Sequence, residues 1–256
     1  MAVLRLEGVI GAARAAGMSL SDAGLAPLIE AAFKRGRPQA VALAINSPGG
    51  SPVQSSLIAA RIRRLADEKS IPVHAFVEDV AASGGYWLAT AADRIYVDAS
   101  SIVGSIGVIS ASFGFHELLS RQGVERRVYT AGEDKSLLDP FRPERAEDVE
   151  RLKHLQATIH QSFIDQVRAR RGDRLNGDSL FTGDIWVGQS GVDVGLADEL
   201  GHLVPVMRQM YGDKVRFRVI APRRPLFRRL GIPGVDAIAS EIEARAHWGR
   251  FGLSAP

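Results

Sequence analysis

The sequence contains no cysteine among its 256 residues, which excludes disulfide bonds and metal sites built on thiolates. It also lacks any run of the ~20 apolar residues that a helix needs to cross a membrane. The N-terminus alternates like a strand and does not have the layout of a signal peptide. We therefore expect a chain that is soluble as given, and either cytoplasmic or associated with a membrane through an anchor upstream of this sequence.

Charge of neither sign dominates. Lysine and arginine number 32 against 29 aspartates and glutamates, which leaves a net charge of +3. No basic stripe with interleaved aromatic residues is present, and aromatic residues make up only 7% of the chain. Because that stripe is typical of proteins that read nucleic acids, we predict no nucleic-acid partner.

Apolar runs alternate along the chain with loops of small residues and with helical patterns. The run at 40–46 is continuously apolar, as in strands buried on both faces of a parallel sheet, and residues 71–80 repeat it. Helices are predicted after the first two strands, one beginning at a cap formed by Ser21 or Asp22 and the other with an apolar face of Leu57, Ile58, Ile62 and Leu65. Alternation of strand, short loop and helix indicates parallel βαβ units. We therefore predict an α/β fold with a parallel sheet, formed by one domain over residues 1–221.

Three segments in the second half are predicted individually. Residues 124–132 are predicted as a strand, and residues 143–171 as one long amphipathic helix with an apolar stripe of Val149, Leu152, Leu155, Ile159, Phe163 and Val167. Residues 222–256 form an arginine-rich C-terminal extension with a helical run near its end. We expect this extension to pack on its own or a neighbouring subunit, or to make peripheral contact with an anionic membrane.

Ser83 stands among small residues in VAASGGYW, where a predicted strand passes into a predicted helix. A sharp turn there would expose its hydroxyl at the carboxyl edge of the sheet, and the next helix would direct N–H groups towards it. The arrangement is similar to the nucleophile elbow of hydrolases, although Ala81 replaces its first glycine. The alternative is that Ser83 only caps the helix.

A second strand-to-helix loop carries INSPGG, residues 45–50. Gly49 and Gly50 can expose N–H groups in conformations that other residues avoid. Together with the first loop, this loop can supply oxyanion donors, the N–H groups of Gly50 and Gly84, with Gly49 lining the substrate. The alternative is a plain Pro-Gly turn.

The base that would accept the proton of Ser83 has two candidates. Of the six histidines only His116 falls in a suitable region after Ser83, whereas His74 lies in an apolar strand and is expected to be a core residue with satisfied hydrogen bonds. Lys135 follows the predicted strand 124–132 in a loop. A lysine base must be neutral, and burial can shift a lysine in a way that it cannot shift an arginine. The alternative for Lys135 is a solvated surface residue beside Glu133 and Asp134.

Four motifs occur in the order INSPGG, VAASGGYW, GSIGV and YTAGEDKSLLDPF. In this combination they resemble the signal peptide peptidase A family of serine peptidases over residues 3 to about 210. The resemblance implies the crotonase-like fold of the Clp protease proteolytic subunit, with repeated ββα-type units. It implies that Ser83 is the nucleophile, Lys135 the general base and Ser105 a residue that orients the lysine.

The resemblance also implies a partner. In relatives with one repeat, serine and lysine come from neighbouring subunits, so we expect a ring-shaped homo-oligomer, for which an octamer is one arrangement, with Ser83 and Lys135 meeting across subunits. The expected substrates are extended apolar peptides, such as cleaved signal peptides or unfolded segments, and no metal or cofactor is expected.

Two departures from the family pattern keep rival functions open. The family usually carries an N-terminal membrane anchor that this sequence does not match, and the loop around Glu133 and Asp134 is unusually acidic. A non-catalytic scaffold with the same fold and ring is one rival. An acyl-CoA enzyme of the crotonase type is another, although Glu78 and Asp79 are the only acidic residues just before Ser83.

Overall fold

The computed structural model describes residues 1–11, 20–132, 135–177, 179–221 and 245–253. The strands are β1 Ala2–Glu7, β2 Val41–Ser47, β3 Val73–Ala82, β4 Arg94–Val97, β5 Ile102–Gly104, β6 Ile185–Val187, β7 Glu199–Leu200 and β8 Arg218–Ile220. The α-helices are α1 Asp22–Lys34, α2 Pro52–Lys69, α3 Gly84–Ala89, α4 His116–Arg121, α5 Ala146–Arg171, α6 Gln189–Asp193 and α7 Leu203–Tyr211.

The strands form one sheet with the order β6-β5-β3-β2-β1-β8, and β4 and β7 extend it beside β3. Every pairing is parallel except that between β5 and β6. The predicted α/β class with a largely parallel sheet is thereby confirmed. Because the carboxyl ends of parallel strands meet at one edge, the loops after β2, β3 and β5 are neighbours.

The chain divides into two compact units. The first unit comprises residues 1–107 and 163–256 and contains the whole sheet, and the second comprises residues 108–162. The second unit contains α4 and the first part of α5. In it, the backbone N–H of Phe115 donates to the carbonyl of Pro140, and the Arg126 guanidinium lies 4.8 Å from the centre of the Phe141 ring.

The core of the first unit follows the predicted periodicity closely. All residues of β2 are buried, as expected for a central parallel strand, and α1 begins after Ser21, whose hydroxyl accepts from the N–H of Gly24. On α2, Ile58, Ile62 and Leu65 are buried as predicted, whereas Leu57 is exposed. The prediction for Leu57 is wrong because one residue turns a helix by about 100°, which takes Leu57 out of the face that buries its neighbour Ile58.

Two predictions for the second half need correction. Residues 124–132 form no strand: the segment is largely exposed and pairs with no other described strand, and an unpaired strand has no ladder to stabilise it. The long helix is present as α5, but only Phe163 and Val167 of its stripe are fully buried, while Leu155 and Ile159 are exposed.

Most of the predicted C-terminal extension, residues 222–244 and 254–256, lies outside the described residues. Residues 245–249 are helical, and Trp248 is fully buried against Val80 and Ala82 of β3. The segment 245–253 thus covers one face of the strand that leads to Ser83. No helix within the described ranges is both long enough and apolar enough to cross a membrane.

His74 lies inside β3 and is only 3% exposed. Its Nε2 is 2.9 Å from the hydroxyl of Tyr211, whereas Nδ1 has no hydrogen-bond partner in the described part of the chain. The expectation of a satisfied core histidine therefore holds for one ring nitrogen only. Burial lowers the pKa of His74, with Asp93 opposing and Arg94 adding to the shift. Burial therefore disfavours the charged form of this imidazole in the folded protein.

Replacing His74 by leucine should weaken the dependence of stability on pH. Since the pKa of His74 is lowered by folding, the unfolded chain takes up a proton first, and stability is lost as the pH falls below ~6.5. Urea midpoints at about pH 8 and about pH 5.5 should differ less in His74→Leu than in the wild type. His154→Leu, at an exposed position of α5, is the control and should keep the wild-type difference. Equal differences in His74→Leu and wild type would contradict this prediction.

Candidate active site

Ser83 lies between the end of β3 and the start of α3 with φ 52° and ψ −122°. A residue other than glycine in this region carries strain of order 1–3 kcal/mol, which the surrounding structure must support. Ser83 occupies the cap position of α3, but its side chain makes no capping hydrogen bond. Ser83 is partly exposed, while its neighbours Ala82 and Gly84 are buried. A capping role alone therefore does not explain this serine.

The loop after β2 approaches the Ser83 loop so closely that side chains are excluded. A Cβ at Gly49, which has φ 106°, would lie 2.8 Å from Ser83 Cβ and 2.9 Å from the amide nitrogen of Gly84. A Cβ at Gly84 would in turn lie 3.4 Å from the amide nitrogen of Gly50. The two loops predicted from the sequence are thus in direct contact, and the amides of Gly50 and Gly84 are close together.

The orientation of the Gly50 amide follows from a parallel bridge with Ile10. The N–H of Ile10 donates to the carbonyl of Gly49, and the N–H of Ser51 donates to the carbonyl of Ile10. In a parallel bridge the residue between these two bonds directs its own N–H to the other side. The N–H of Gly84, in the first turn of α3, has no helical acceptor. Among the described residues neither amide donates to an acceptor, so both are available to a ligand.

Ser105 follows β5 directly and has φ 51°, much like Ser83. β5 pairs with the end of β3 so that Gly104 lies opposite Ala82, and the N–H of Ser83 donates to the carbonyl of Gly104 over 2.8 Å. Ser105 is 8% exposed, and its own N–H donates to the carbonyl of Asp184. The structure therefore places Ser83 and Ser105 at the ends of adjacent strands.

Lys135 lies in a turn of the second unit, where its backbone N–H donates to the carbonyl of Gly132 over 3.3 Å. Its side chain is exposed. Glu133 and Asp134, the acidic residues singled out beside it, lie outside the described residues. His116, the other candidate base, is the first residue of α4 and also belongs to the second unit.

The helix that follows Ser83 is buried along its whole length and is anchored at both sides. The hydroxyl of Tyr86 donates to the carbonyl of Leu196, and the ring of Trp87 stacks on Phe163 with centroids 4.8 Å apart. At its C-terminal end, Arg170 donates to the carbonyls of Thr90 and Ala92, which no longer have helical donors. Arg170 was not predicted from the sequence, because its helix is rich in arginine and no pattern separates one arginine from another.

The acidic residues before Ser83 are engaged in other contacts. Glu78 accepts a hydrogen bond from Arg5 over 2.8 Å, and Asp79 accepts one from the side-chain amide of Asn46 over 2.7 Å. Burial raises the pKa of Glu78, against the opposing effect of the Arg5 guanidinium. Within the described ranges, no group of three or more histidine, aspartate or glutamate side chains has the arrangement of a metal site.

Comparisons with known proteins test the resemblance stated from the four motifs. Residues 66–215 match the model of the family described as peptidase family S49. A putative signal peptide peptidase SppA of Enterococcus faecium is 31% identical over 166 residues, which cover 63% of this chain and 47% of that protein. The resemblance predicted from the four motifs, to the signal peptide peptidase A family, is thereby confirmed.

Two further similarities differ in what they show. A protein of Brucella melitensis named Na(+)/H(+) antiporter NhaA is 51% identical over 254 residues, which cover 92% of this chain but 34% of that protein. This chain therefore spans about a third of the antiporter and about half of the Enterococcus relative. A solved structure, a mutant of the 1510-N membrane-bound stomatin-specific protease, aligns with a TM-score of 0.52 over 87% of this chain and 97% of its own, at 13% identity. This structural alignment confirms the predicted α/β fold.

A methyl group at Gly85 should destabilise the protein, because an added Cβ would lie 2.3 Å from the carbonyl oxygen of Ser47. We expect Gly85→Ala to lose about 1–3 kcal/mol of unfolding free energy, as overpacking of a rigid core does. The control is Gly249→Ala, where an added Cβ meets no atom within 4 Å and stability should stay within about 1 kcal/mol of wild type. Urea unfolding measures both, and equal stabilities of the two variants would argue against the close contact.

Proposed function

Since the chain belongs to peptidase family S49, we propose that it is a serine endopeptidase with Ser83 as nucleophile and Lys135 as general base. One observation carries the proposal: a strained serine stands beside the N–H groups of Gly50 and Gly84, which have no acceptor among the described residues. Amides held in this way stabilise the negative charge of a tetrahedral intermediate.

In the proposed reaction, Ser83 Oγ attacks the carbonyl carbon of a peptide bond and passes its proton to Lys135 Nζ. The carbonyl oxygen takes up the negative charge and is held by the N–H groups of Gly50 and Gly84, while Gly49 lines the bound peptide. Collapse of the intermediate breaks the C–N bond, and the lysine returns the proton to the leaving amine. Water, activated by the same lysine, then hydrolyses the acyl-enzyme.

The lysine base must be neutral to accept a proton, whereas the amine of a free lysine has a pKa of ~10.4. Removal of water around it favours the neutral form. Lys135 is exposed in the single chain, so a neighbouring subunit is the proposed source of this burial. Ser105, at the end of the strand beside Ser83, is proposed to orient the amine.

We propose that Ser83 meets Lys135 of a neighbouring subunit in a ring-shaped homo-oligomer. The second unit, which carries Lys135, exposes many large apolar side chains: Ile109, Phe113, Phe115, Leu118, Val124, Tyr129, Phe141, Leu155 and Ile159. Large apolar side chains left exposed in such number favour a surface that another protein covers. The exposed residues of the α5 stripe, Leu155 and Ile159, have the same explanation.

The proposed substrates are extended apolar peptides, such as cleaved signal peptides and unfolded segments. The name of the Enterococcus relative supports this class of substrate. Ion transport, which the name of the Brucella relative states, is the activity of a protein of which this chain spans 34%. The match to the peptidase family covers both Ser83 and Lys135, and we therefore propose peptidase activity rather than transport.

Labelling by a fluorophosphonate probe, followed by intact-protein mass, tests the nucleophile and the base. The wild type should gain one probe mass, and Ser83→Ala and Lys135→Ala should lose labelling by at least about 10³-fold, as serine hydrolases without nucleophile or base do. His116→Ala is the control and should label like the wild type. Labelling that survives Lys135→Ala but is lost in His116→Ala would make His116 the base. No labelling of an assembled wild type would favour the non-catalytic scaffold, and binding of coenzyme A would favour the acyl-CoA enzyme.

Mixing the two inactive variants tests whether the site forms across subunits. If Ser83→Ala and Lys135→Ala chains are co-expressed in equal amounts, about a quarter of the sites combine an intact serine with an intact lysine of a neighbour. Labelling should then return to about that fraction of the wild-type level. If both residues of a site came from one chain, no mixed oligomer would be labelled, and the intersubunit arrangement would be wrong.

A further inference from the structure

β3 slips against β2 just before it reaches Ser83. Ile45 lies opposite Val77, but Ser47 lies opposite Ala81. Between these two pairs β3 advances by four residues and β2 by only two, so the register shifts by two residues. At the same place β3 changes its partner on the other side, from β4, which pairs up to Val77, to β5, which pairs from Val80. Such a slip removes ladder hydrogen bonds, and the freed backbone groups need other partners.

The side chain of Asn46 supplies partners on the β2 side of the slip. Its Nδ2 donates to Asp79 Oδ2 over 2.7 Å, and its Oδ1 accepts from the backbone N–H of Val80 over 3.3 Å. Asn46 is 6% exposed, in a strand whose other residues up to Ile45 are apolar. An amide has a donor and an acceptor in one rigid group, which neither an aspartate nor an alanine offers.

The slip decides which residues of the two loops become neighbours. Counting on from the pair Ser47 and Ala81 brings Gly49 level with Ser83, and a Cβ at Gly49 would lie 2.8 Å from Ser83 Cβ. Without the slip, the register of the pair Ile45 and Val77 would continue and place Gly49 level with Ala81. The serine would then be two residues beyond the Gly49 and Gly50 loop, which is about 6–7 Å along a strand.

We propose that Asn46 is a positioning residue for the nucleophile. By joining Asp79 and Val80 of β3 to β2, it holds the slip that brings Ser83 to the amide of Gly50. Asn46 acts on the reacting groups only through the backbone. Its effect on catalysis rests on the proposed peptidase function, whereas its effect on the register does not.

The rate of reaction with the fluorophosphonate probe tests the catalytic part. Asn46→Ala and Asn46→Asp should lower the maximal inactivation rate by about 10²-fold, the loss expected from a misplacement of about 1 Å. The half-saturating probe concentration should change less than about threefold, because Asn46 does not contact the ligand. Asp79→Asn keeps an acceptor for the Asn46 amide and should lose much less than Asp79→Ala. The control is Ile29→Val, a buried change in α1.

Hydrogen exchange of the segment 78–84 tests the register without using activity. It should exchange at least about tenfold faster in Asn46→Ala than in Ile29→Val, under conditions where both are folded. Slow probe reaction together with fast exchange supports the proposal. A wild-type reaction rate in Asn46→Ala would overturn it, even with altered exchange. If the wild type itself does not react, the peptidase proposal fails, and unchanged exchange in Asn46→Ala would then overturn the positioning role as well.

Discussion

The close approach of two backbone loops at the carboxyl edge of the sheet is the constraint on which the site depends. At Gly49, Gly50 and Gly85 an added Cβ would fall within 3 Å of backbone atoms, so only glycine allows the loops to touch. Ile10 forms two backbone hydrogen bonds with the loop after β2, one to Gly49 and one from Ser51. The loop after β1 is thereby part of the arrangement that directs the N–H of Gly50 away from Ile10.

The strained backbone at Ser83 is held by structure on both sides of it. Before it, β3 is fixed to β2 by Asn46 and to β5 by the hydrogen bond from Ser83 to Gly104. After it, α3 is held by two sets of hydrogen bonds: the Tyr86 hydroxyl donates to the carbonyl of Leu196, and Arg170 donates to the carbonyls of Thr90 and Ala92. An uncommon dihedral angle persists only where its surroundings determine it in this way, and such sites are commonly functional.

The two compact units carry different parts of the proposed chemistry. The first unit contains Ser83, Ser105 and the glycine amides on a rigid sheet, whereas the second contains Lys135 on a turn with an exposed side chain. A nucleophile and amides on a rigid sheet meet the geometric demands of catalysis. A lysine base additionally needs burial, which an exposed turn acquires only when another surface covers it. The apolar side chains exposed on the second unit fit that requirement.

Local features of the protein can be read from its sequence: the buried strand β2, the cap of α1 at Ser21, the two glycine loops and the serine at 83 among small residues. Each depends on a period, a capping side chain or a glycine, which are properties of neighbours along the chain. Three features follow only from the packing of the chain: residues 124–132 are not a strand, two of the six residues of the α5 stripe are exposed, and β3 slips against β2. These features depend on which segments become neighbours in space. Burial and strand register are properties of pairs of segments, and the pattern of one segment does not contain them.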